Sequence, residues 1–162
     1  MMTLRFLMMS GLITVLIGCD ENPAEKTAVV EELQIAAEVA TVTLPRTESA
    51  EGAKIFFISP ANDATVSNPV TIEFGISGMD VVKAGDNQAN SGHHHLLIDT
   101  DLPDPSLPIP ADANHMHFGD GSTSTEVTFE VGEHHLQMLL GDYLHIPHDL
   151  PLVSEPILIT VE

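Results

Sequence analysis

From residue 53 onward, short apolar runs rich in Val, Ile, Phe and Thr alternate with clusters of Pro, Gly, Asn and Asp. Such runs are typical of β-strands bounded by turns. Within residues 71–76, apolar side chains alternate with polar or small ones, as expected for a sheet with one face toward solvent. The pattern predicts seven strands, at residues 54–59, 70–77, 93–99, 115–118, 126–131, 134–140 and 156–161.

Seven short strands without a convincing helical period predict an all-β fold, an immunoglobulin-like antiparallel β-sandwich. One segment cannot join a regular strand, because residues 100–114 contain prolines at positions 103, 105, 108 and 110. We expect this Pro-rich loop to be ordered and to lie over one end of the sandwich.

The N-terminus carries a different pattern, an apolar run over residues 6–17 that follows Arg5. The run is too short to span a bilayer, which needs about 20 residues, and has the length of a signal-peptide core. It ends at Gly18-Cys19, a small residue and a cysteine in the arrangement of a lipobox. The alternative is a plain secretory signal with a chance cysteine. Since Cys19 is the chain's only cysteine, lipidation at Cys19 is favoured.

These patterns predict three parts: a cleaved lipoprotein signal peptide at 1–18, a lipidated Cys19 with a flexible acidic tether at 19–52, and a His-rich β-sandwich domain at 53–162. Asp20 resembles the signal that retains lipoproteins in the inner membrane. The predicted location is therefore the cell envelope, at the periplasmic face of the inner membrane, with the outer membrane as the alternative.

Charge narrows the range of partners. The chain has 24 acidic residues against 5 Lys and Arg, for a net charge of −19. Like charge repels nucleic acids and anionic lipid surfaces, so no nucleic-acid partner is expected. The membrane through the lipid anchor, a metal ion and an envelope protein remain as candidate partners.

Candidate chemistry comes from the nine histidines, all of which lie between positions 93 and 148. A His-x-His pair on a strand places both imidazoles on one face, and a His-x-x-His sequence can present two rings from a turn. Imidazole suits copper and zinc, the predicted ions. The candidate metal ligands are His93, His95, His115, His117, His145 and His148.

Other side chains could assist such a site. Thioethers of Met79, Met116 and Met138 would favour Cu(I). Carboxylates could orient the imidazole rings through their N–H groups, and the candidates are Asp99, Asp112, Asp142 and Asp149. By contrast, His94 and His134 are in phase with apolar neighbours. We expect both to face the core and to hydrogen-bond to backbone.

Four segments carry a family resemblance: residues 92–99 (GHHHLLID), 117–121 (HFGDG), 132–136 (GEHHL) and 141–148 (GDYLHIPH). Together they resemble a bacterial domain-of-unknown-function family numbered 4399, over about residues 53–162. The resemblance implies an exported all-β domain, often in lipoproteins, and no established activity. It singles out the matched histidines for testing: His93 to His95, His117, His134, His145 and His148.

Two function classes remain open, and a third is weaker. The first is a membrane-anchored module that binds copper or zinc through clustered histidines. The second is a non-enzymatic envelope interaction or structural domain whose histidines only hydrogen-bond. A metal-dependent hydrolase or redox enzyme is less favoured, because the sequence has neither a nucleophile elbow nor a His-Glu-x-x-His motif. No catalytic residue is predicted.

Overall fold

A computed structural model describes residues 44–162 of the chain. Nine strands occur in this range, and no helix does. In chain order the strands are β1 (Lys54–Ser59), β2 (Ala64–Val66), β3 (Val70–Ser77), β4 (Asp80–Val81), β5 (Ser91–Ile98), β6 (His115–His117), β7 (Ser124–Val127), β8 (Gly132–Gly141) and β9 (Ile157–Val161).

The strands form two sheets. The smaller has the order β1-β3-β7, and the larger has the order β2-β9-β8-β5-β4, with β6 also paired to β5. Most pairs are antiparallel, while β2 with β9 and β4 with β5 are parallel. The predicted all-β, immunoglobulin-like sandwich is confirmed. Short β2 and β4 are additions to the seven predicted strands.

The main core fills the space between the two sheets. Alternation places Ile72 and Phe74 of β3 against Leu96 of β5 and Met138 of β8, all nearly or fully buried. The exposed Thr71 and Glu73 lie between the buried positions of β3, as the period-two pattern predicts. Burial of each large apolar side chain contributes about 1.5–3 kcal/mol, so this layer is the main source of stability.

Strand β5 differs from the others because it is buried on both faces. Its outer face carries His93, His95 and Leu97, the last in a second apolar cluster with Ile109 and Leu139. Ile109 belongs to the Pro-rich loop, which therefore covers the outer face of the larger sheet. We expected this loop over one end of the sandwich. The difference arises because Leu97 and Leu139 offer apolar surface on that outer face for Ile109 to cover.

Residues 46–49 precede β1 and contact the sandwich. Glu48 forms a parallel bridge with Asp149, and the Ser49 amide donates to the Asp149 carbonyl at 2.9 Å. The predicted domain boundary at residue 53 stays a prediction, but these residues of the predicted tether are joined to the domain. Among residues 44–162 there is no helix of the length and apolarity that a membrane crossing requires.

Candidate metal centre

Three imidazoles meet on the outer face of β5. His93 and His95 share this face because they are two residues apart on one strand, and the antiparallel register of β6 sets His117 opposite His95. Each pair of ring centroids among the three is 4.9 Å apart. Strand pairing thus brings together three histidines from two separate segments.

A fourth imidazole, that of His145, comes from the turn that follows β8. Its ring centroid lies 4.6 Å from that of His117, 4.7 Å from that of His93 and 6.2 Å from that of His95. His145 has a φ of 63°, in the left-handed region, which is uncommon for a residue with a side chain. We call His93, His95, His117 and His145 the four-histidine cluster.

The spacing of these rings suits a metal ion. Four imidazoles bound tetrahedrally through nitrogens at about 2.1 Å would have centroids about 5 Å apart. One ring nitrogen from each of His93, His95 and His117 already lies within 4.8 Å of the others. The histidine cluster could therefore hold a metal after small ring movements.

The buried nitrogens of the cluster have no hydrogen-bond partner within residues 44–162. This is so for both ring nitrogens of His93 and for Nδ1 of His95. A buried polar atom without a partner costs about 1–3 kcal/mol. His94 and Nε2 of His148 also have buried nitrogens without a partner, so what distinguishes this site is that such nitrogens lie on adjacent rings that converge.

Burial also fixes the protonation of these rings. Burial, together with the neighbouring imidazoles, lowers the pKa of His95 to about 2. The pKa of His93 falls to about 4, again mainly through burial, and the Asp142 carboxylate opposes that shift. Burial and His145 lower the pKa of His117. Near pH 7 these rings are neutral, the form in which imidazole binds metals.

Two glycines make room for the rings. A Cβ at Gly141 would lie 2.8 Å from Cε1 of His95, and a Cβ at Gly119 would lie 2.5 Å from Cε1 of His117. Both distances are below van der Waals contact, so any larger residue would displace a ring. Sequence reasoning did not identify these glycines, because the close approach depends on strands that are distant in sequence.

Two predicted ligands lie outside the cluster. His115 Nδ1 donates to Asp112 at 2.8 Å, and His148 Nδ1 donates to the carbonyl of Thr47 at 3.1 Å. The turn thus sends the rings of His145 and His148 to different places. Of the six predicted ligands, the structure brings four together.

The predicted thioether contribution is wrong. Met79, Met116 and Met138 all pack into the main core, on the opposite face of β5 from the cluster. Met116 alternates with His115 and His117 along β6, so strand parity turns its sulfur away. The cluster is built from imidazoles alone.

Of the four predicted supporting carboxylates, only Asp142 acts on the cluster. Its side chain is 0% exposed, and its charge favours the protonated form of His93. The others have different partners: Asp99 contacts His134, Asp112 contacts His115, and Asp149 contacts Arg46.

The histidines expected in the core behave differently from each other. His94 is buried as predicted, with its ring 4.8 Å from that of Phe74. However, neither of its nitrogens has a hydrogen-bond partner within residues 44–162, so the expected backbone bond is missing. His134 is partly buried at the rim, where it contacts the Glu130 carbonyl at 2.9 Å and Asp99 at 2.6 Å.

The predictions made for the N-terminal residues are not tested by the structure. Cys19, the signal peptide and most of the tether lie outside the described residues, so lipidation and location stay predictions.

Comparison with known proteins places the chain in a family. The model of the family described as Domain of unknown function (DUF4399) matches residues 72–162, and the chain belongs to this family. Among solved structures, it is similar to fibronectin(III)-like modules of Clostridium thermocellum CbhA, at 12% identity and a TM-score of 0.32. That alignment covers 66% of this chain and 92% of the other. No curated protein matches the sequence.

Proposed function

We propose that this member of the DUF4399 family binds a divalent transition-metal ion, copper or zinc, at His93, His95, His117 and His145. The observation that carries the proposal is the convergence of four rings, two of them with buried nitrogens that lack partners. A bound ion would accept one lone pair from each neutral ring and so offset part of the cost of burying these nitrogens.

The donor set supports the choice of ion. Imidazole nitrogen is a preferred ligand of Zn(II) and Cu(II), whereas Cu(I) is favoured by thiolate and thioether sulfur. The methionine sulfurs nearest in sequence face the core, so a divalent ion fits the site better than Cu(I). The ion identity is part of the proposal.

The exposure of the rings supports reversible capture. His93 and His95 are buried, His145 is half-buried and His117 is exposed. An ion can enter from the His117 side and reach the two buried ligands last. The negative charge of the chain favours the approach of cations.

The surroundings support binding over catalysis. A hydrolytic zinc site needs a general base near the metal-bound water. Two carboxylates act electrostatically on the cluster, Asp142 on His93 and Asp120 on His117. Asp142 accepts hydrogen bonds from Thr47, Leu144 and Ile146, and Asp120 accepts two from Ser122. Both carboxylates therefore already have roles in holding their own turns, which favours binding over catalysis.

The cellular setting follows from the sequence. We propose that the acylated Cys19 anchors the chain at the periplasmic face of the inner membrane and that the module captures its ion there. The tether would keep the metal-binding domain close to the membrane.

The test is metal titration of the untagged full chain, purified from membranes in detergent. Zn(II) or Cu(II) should bind with a dissociation constant below about 10 μM, and the bound ion should raise the melting temperature. The double variant His93→Ala/His95→Ala should lose both effects.

The matched control is His115→Ala/His135→Ala, which removes two histidines outside the cluster and should keep both effects. If neither ion binds more tightly than about 10 μM, or if His93→Ala/His95→Ala binds as the native chain does, the proposal is wrong. A melting temperature that does not respond to ions or chelators would favour purely structural histidines.

A further inference from the structure

Residues 46–49 run beside residues 147–149 and are joined to them by a dense set of hydrogen bonds. Arg46 Nε donates to the Pro147 carbonyl at 3.0 Å, and its guanidinium also contacts the His148 carbonyl and the Asp149 carboxylate. The Asp149 amide donates to the Thr47 carbonyl at 2.9 Å. This segment, which we call the strap, is therefore joined to the end of the turn that carries His145.

The strap also reaches the centre of that turn through Asp142. Thr47 Oγ1 donates to Asp142 Oδ2 at 2.9 Å, and the Thr47 amide lies 3.4 Å from the same oxygen. The other carboxylate oxygen, Oδ1, accepts from the amides of Leu144 at 2.8 Å and Ile146 at 3.1 Å. Asp142 thus connects the strap to the residues on both sides of His145.

The same turn sets the position of the His145 ring. The His145 amide donates to the Asp142 carbonyl at 2.9 Å, and its own carbonyl accepts from Ile109 at 2.7 Å. The left-handed backbone of His145 costs free energy, and such a conformation persists only where surrounding contacts impose it. The Asp142 hydrogen bonds are contacts of this kind.

Charge gives Asp142 a second connection with the cluster. The hydrogen-bond donors to its buried carboxylate are neutral, namely two backbone amides and Thr47. Its field acts on the His93 ring. A cation in the four-histidine cluster would therefore lie near a buried carboxylate that the strap holds in place.

We propose that the strap is a positioning element of the metal centre: Thr47 holds Asp142, and Asp142 holds the turn that presents His145 to the ion. Thr47 and Asp142 are positioning residues and touch no ion themselves. The proposal rests on the proposed metal-binding function. By linkage, an ion that binds better when the strap is docked must also stabilise docking, by the same factor.

The test compares Thr47→Val, which removes the hydroxyl at similar size, with Thr47→Ser, which keeps it. Competition titration with Zn(II) should give an affinity about tenfold lower for Thr47→Val, a loss typical of supporting residues around metal sites. Thr47→Ser should restore the native affinity. Thr71→Val, an exposed threonine of β3 on the other sheet, is the matched control and should leave the affinity unchanged.

A spectroscopic readout separates positioning from general stability. Co(II), a substitute for Zn(II), should give the intense visible absorption of a tetrahedral site in the native chain and in Thr47→Ser. In Thr47→Val this absorption should weaken, because His145 is released and water replaces it. A merely structural threonine would lower the melting temperature and leave the Co(II) spectrum of the folded protein unchanged.

Hydrogen exchange supplies a test without any variant. Adding Zn(II) to the native chain should slow exchange at the amides of Ser49 and Asp149, which are bonded across the strap. If the native chain binds Zn(II) but these amides do not respond and Thr47→Val binds equally well, the inference is wrong and the proposed function stands. If the native chain binds no ion at all, both are wrong.

Discussion

At the scale of single residues, the environment of each histidine decides its chemistry. His93 and His95 are buried among other imidazoles, which lowers the pKa of each ring and leaves it neutral. His134 shows the opposite effect. Its two ring nitrogens face two acceptors, the Asp99 carboxylate and the Glu130 carbonyl, and only the protonated ring can donate to both.

This arrangement predicts a pH-dependent contribution to stability. Burial acts to lower the pKa of His134, but the hydrogen bonds to Asp99 and Glu130 outweigh it and raise the pKa above 6.5. Burial acts to raise the pKa of Asp99, but hydrogen bonds from His134 and His135 hold it below 3.8. A raised histidine pKa stabilises the fold at low pH, and a lowered aspartate pKa stabilises it at high pH. The two effects overlap between about pH 4 and 6.5.

The measurement is the melting temperature of the native chain and of His134→Gln from pH 5 to 8.5. The gap between the two should be widest at the acidic end of this range and should narrow as the pH rises through the His134 pKa. His135→Gln, at an exposed neighbouring position, is the control and should show no such trend. A gap that widens toward pH 8.5 would contradict the assignment.

At the scale of elements, β5 and the Pro-rich loop explain why the histidine cluster on the outer sheet face is largely shielded from solvent. Strand β5 has apolar or histidine side chains on both faces, so its outer face needs a cover. The Pro-rich loop covers this face through Ile109. The Ile109 side chain packs with Leu97 and Leu139, and its amide donates a hydrogen bond to the His145 carbonyl. Four prolines limit the freedom of this loop before folding, which lowers the entropy cost of ordering it.

Truncation of the loop's buried side chain should therefore destabilise the domain. Ile109→Ala removes packing against Leu97 and Leu139, and we expect the free energy of unfolding to fall by about 2–4 kcal/mol. Leu107→Ala is the matched control in the same loop, because Leu107 is 56% exposed while Ile109 is 6% exposed. Its effect should stay within about 0.5 kcal/mol.

Denaturant unfolding of the two variants in the presence of a chelator measures these values without any contribution from a bound ion. Equal losses in Ile109→Ala and Leu107→Ala would mean that the loop does not cover the sheet through Ile109.

At the scale of the whole molecule, the sequence predicts an acidic metal-binding domain that is anchored by lipid on Cys19. The net charge of −19 makes adsorption to an anionic bilayer unfavourable, so the predicted retention at the membrane would depend on the acyl chains. Arg46, Lys54 and Lys83 are the cationic Lys and Arg residues within residues 44–162, too few to form a basic membrane-binding surface.

Removal of the lipidation site should therefore release the chain from the membrane. The native chain should sediment with membranes and resist extraction by high salt, whereas Cys19→Ser should appear in the soluble periplasmic fraction. One acyl chain gives only marginal binding, while the multiple chains of a lipoprotein anchor it stably. Fractionation followed by immunoblotting measures both outcomes.

A second variant tests the predicted location within the cell envelope. If Asp20 is the inner-membrane retention signal, Asp20→Ser should move the chain to the outer-membrane fraction. A native chain that is already soluble would contradict the lipoprotein prediction, and an unchanged location of Asp20→Ser would contradict only the sorting rule.

The sequence by itself determined the strands and the local pairs of histidines, because both depend on alternation along one segment. The period of two predicted six strands close to their observed bounds, while the predicted strand at 126–131 overlaps β7 only at residues 126–127. It also set His93 and His95 on one face of their strand, and His115 and His117 on one face of theirs. It also turned Met116 away from that face, a consequence of the same parity that the predicted thioether role overlooked.

Only the tertiary structure decided which histidines meet. His117 joins His95 through the register of β6 on β5, and His145 rather than His148 joins them because a buried carboxylate shapes the turn. Thr47 and Asp142 are separated by 95 positions. Contacts between residues so far apart in sequence depend on how the sheets and loops pack together. A local pattern of polar and apolar residues carries no information about that packing.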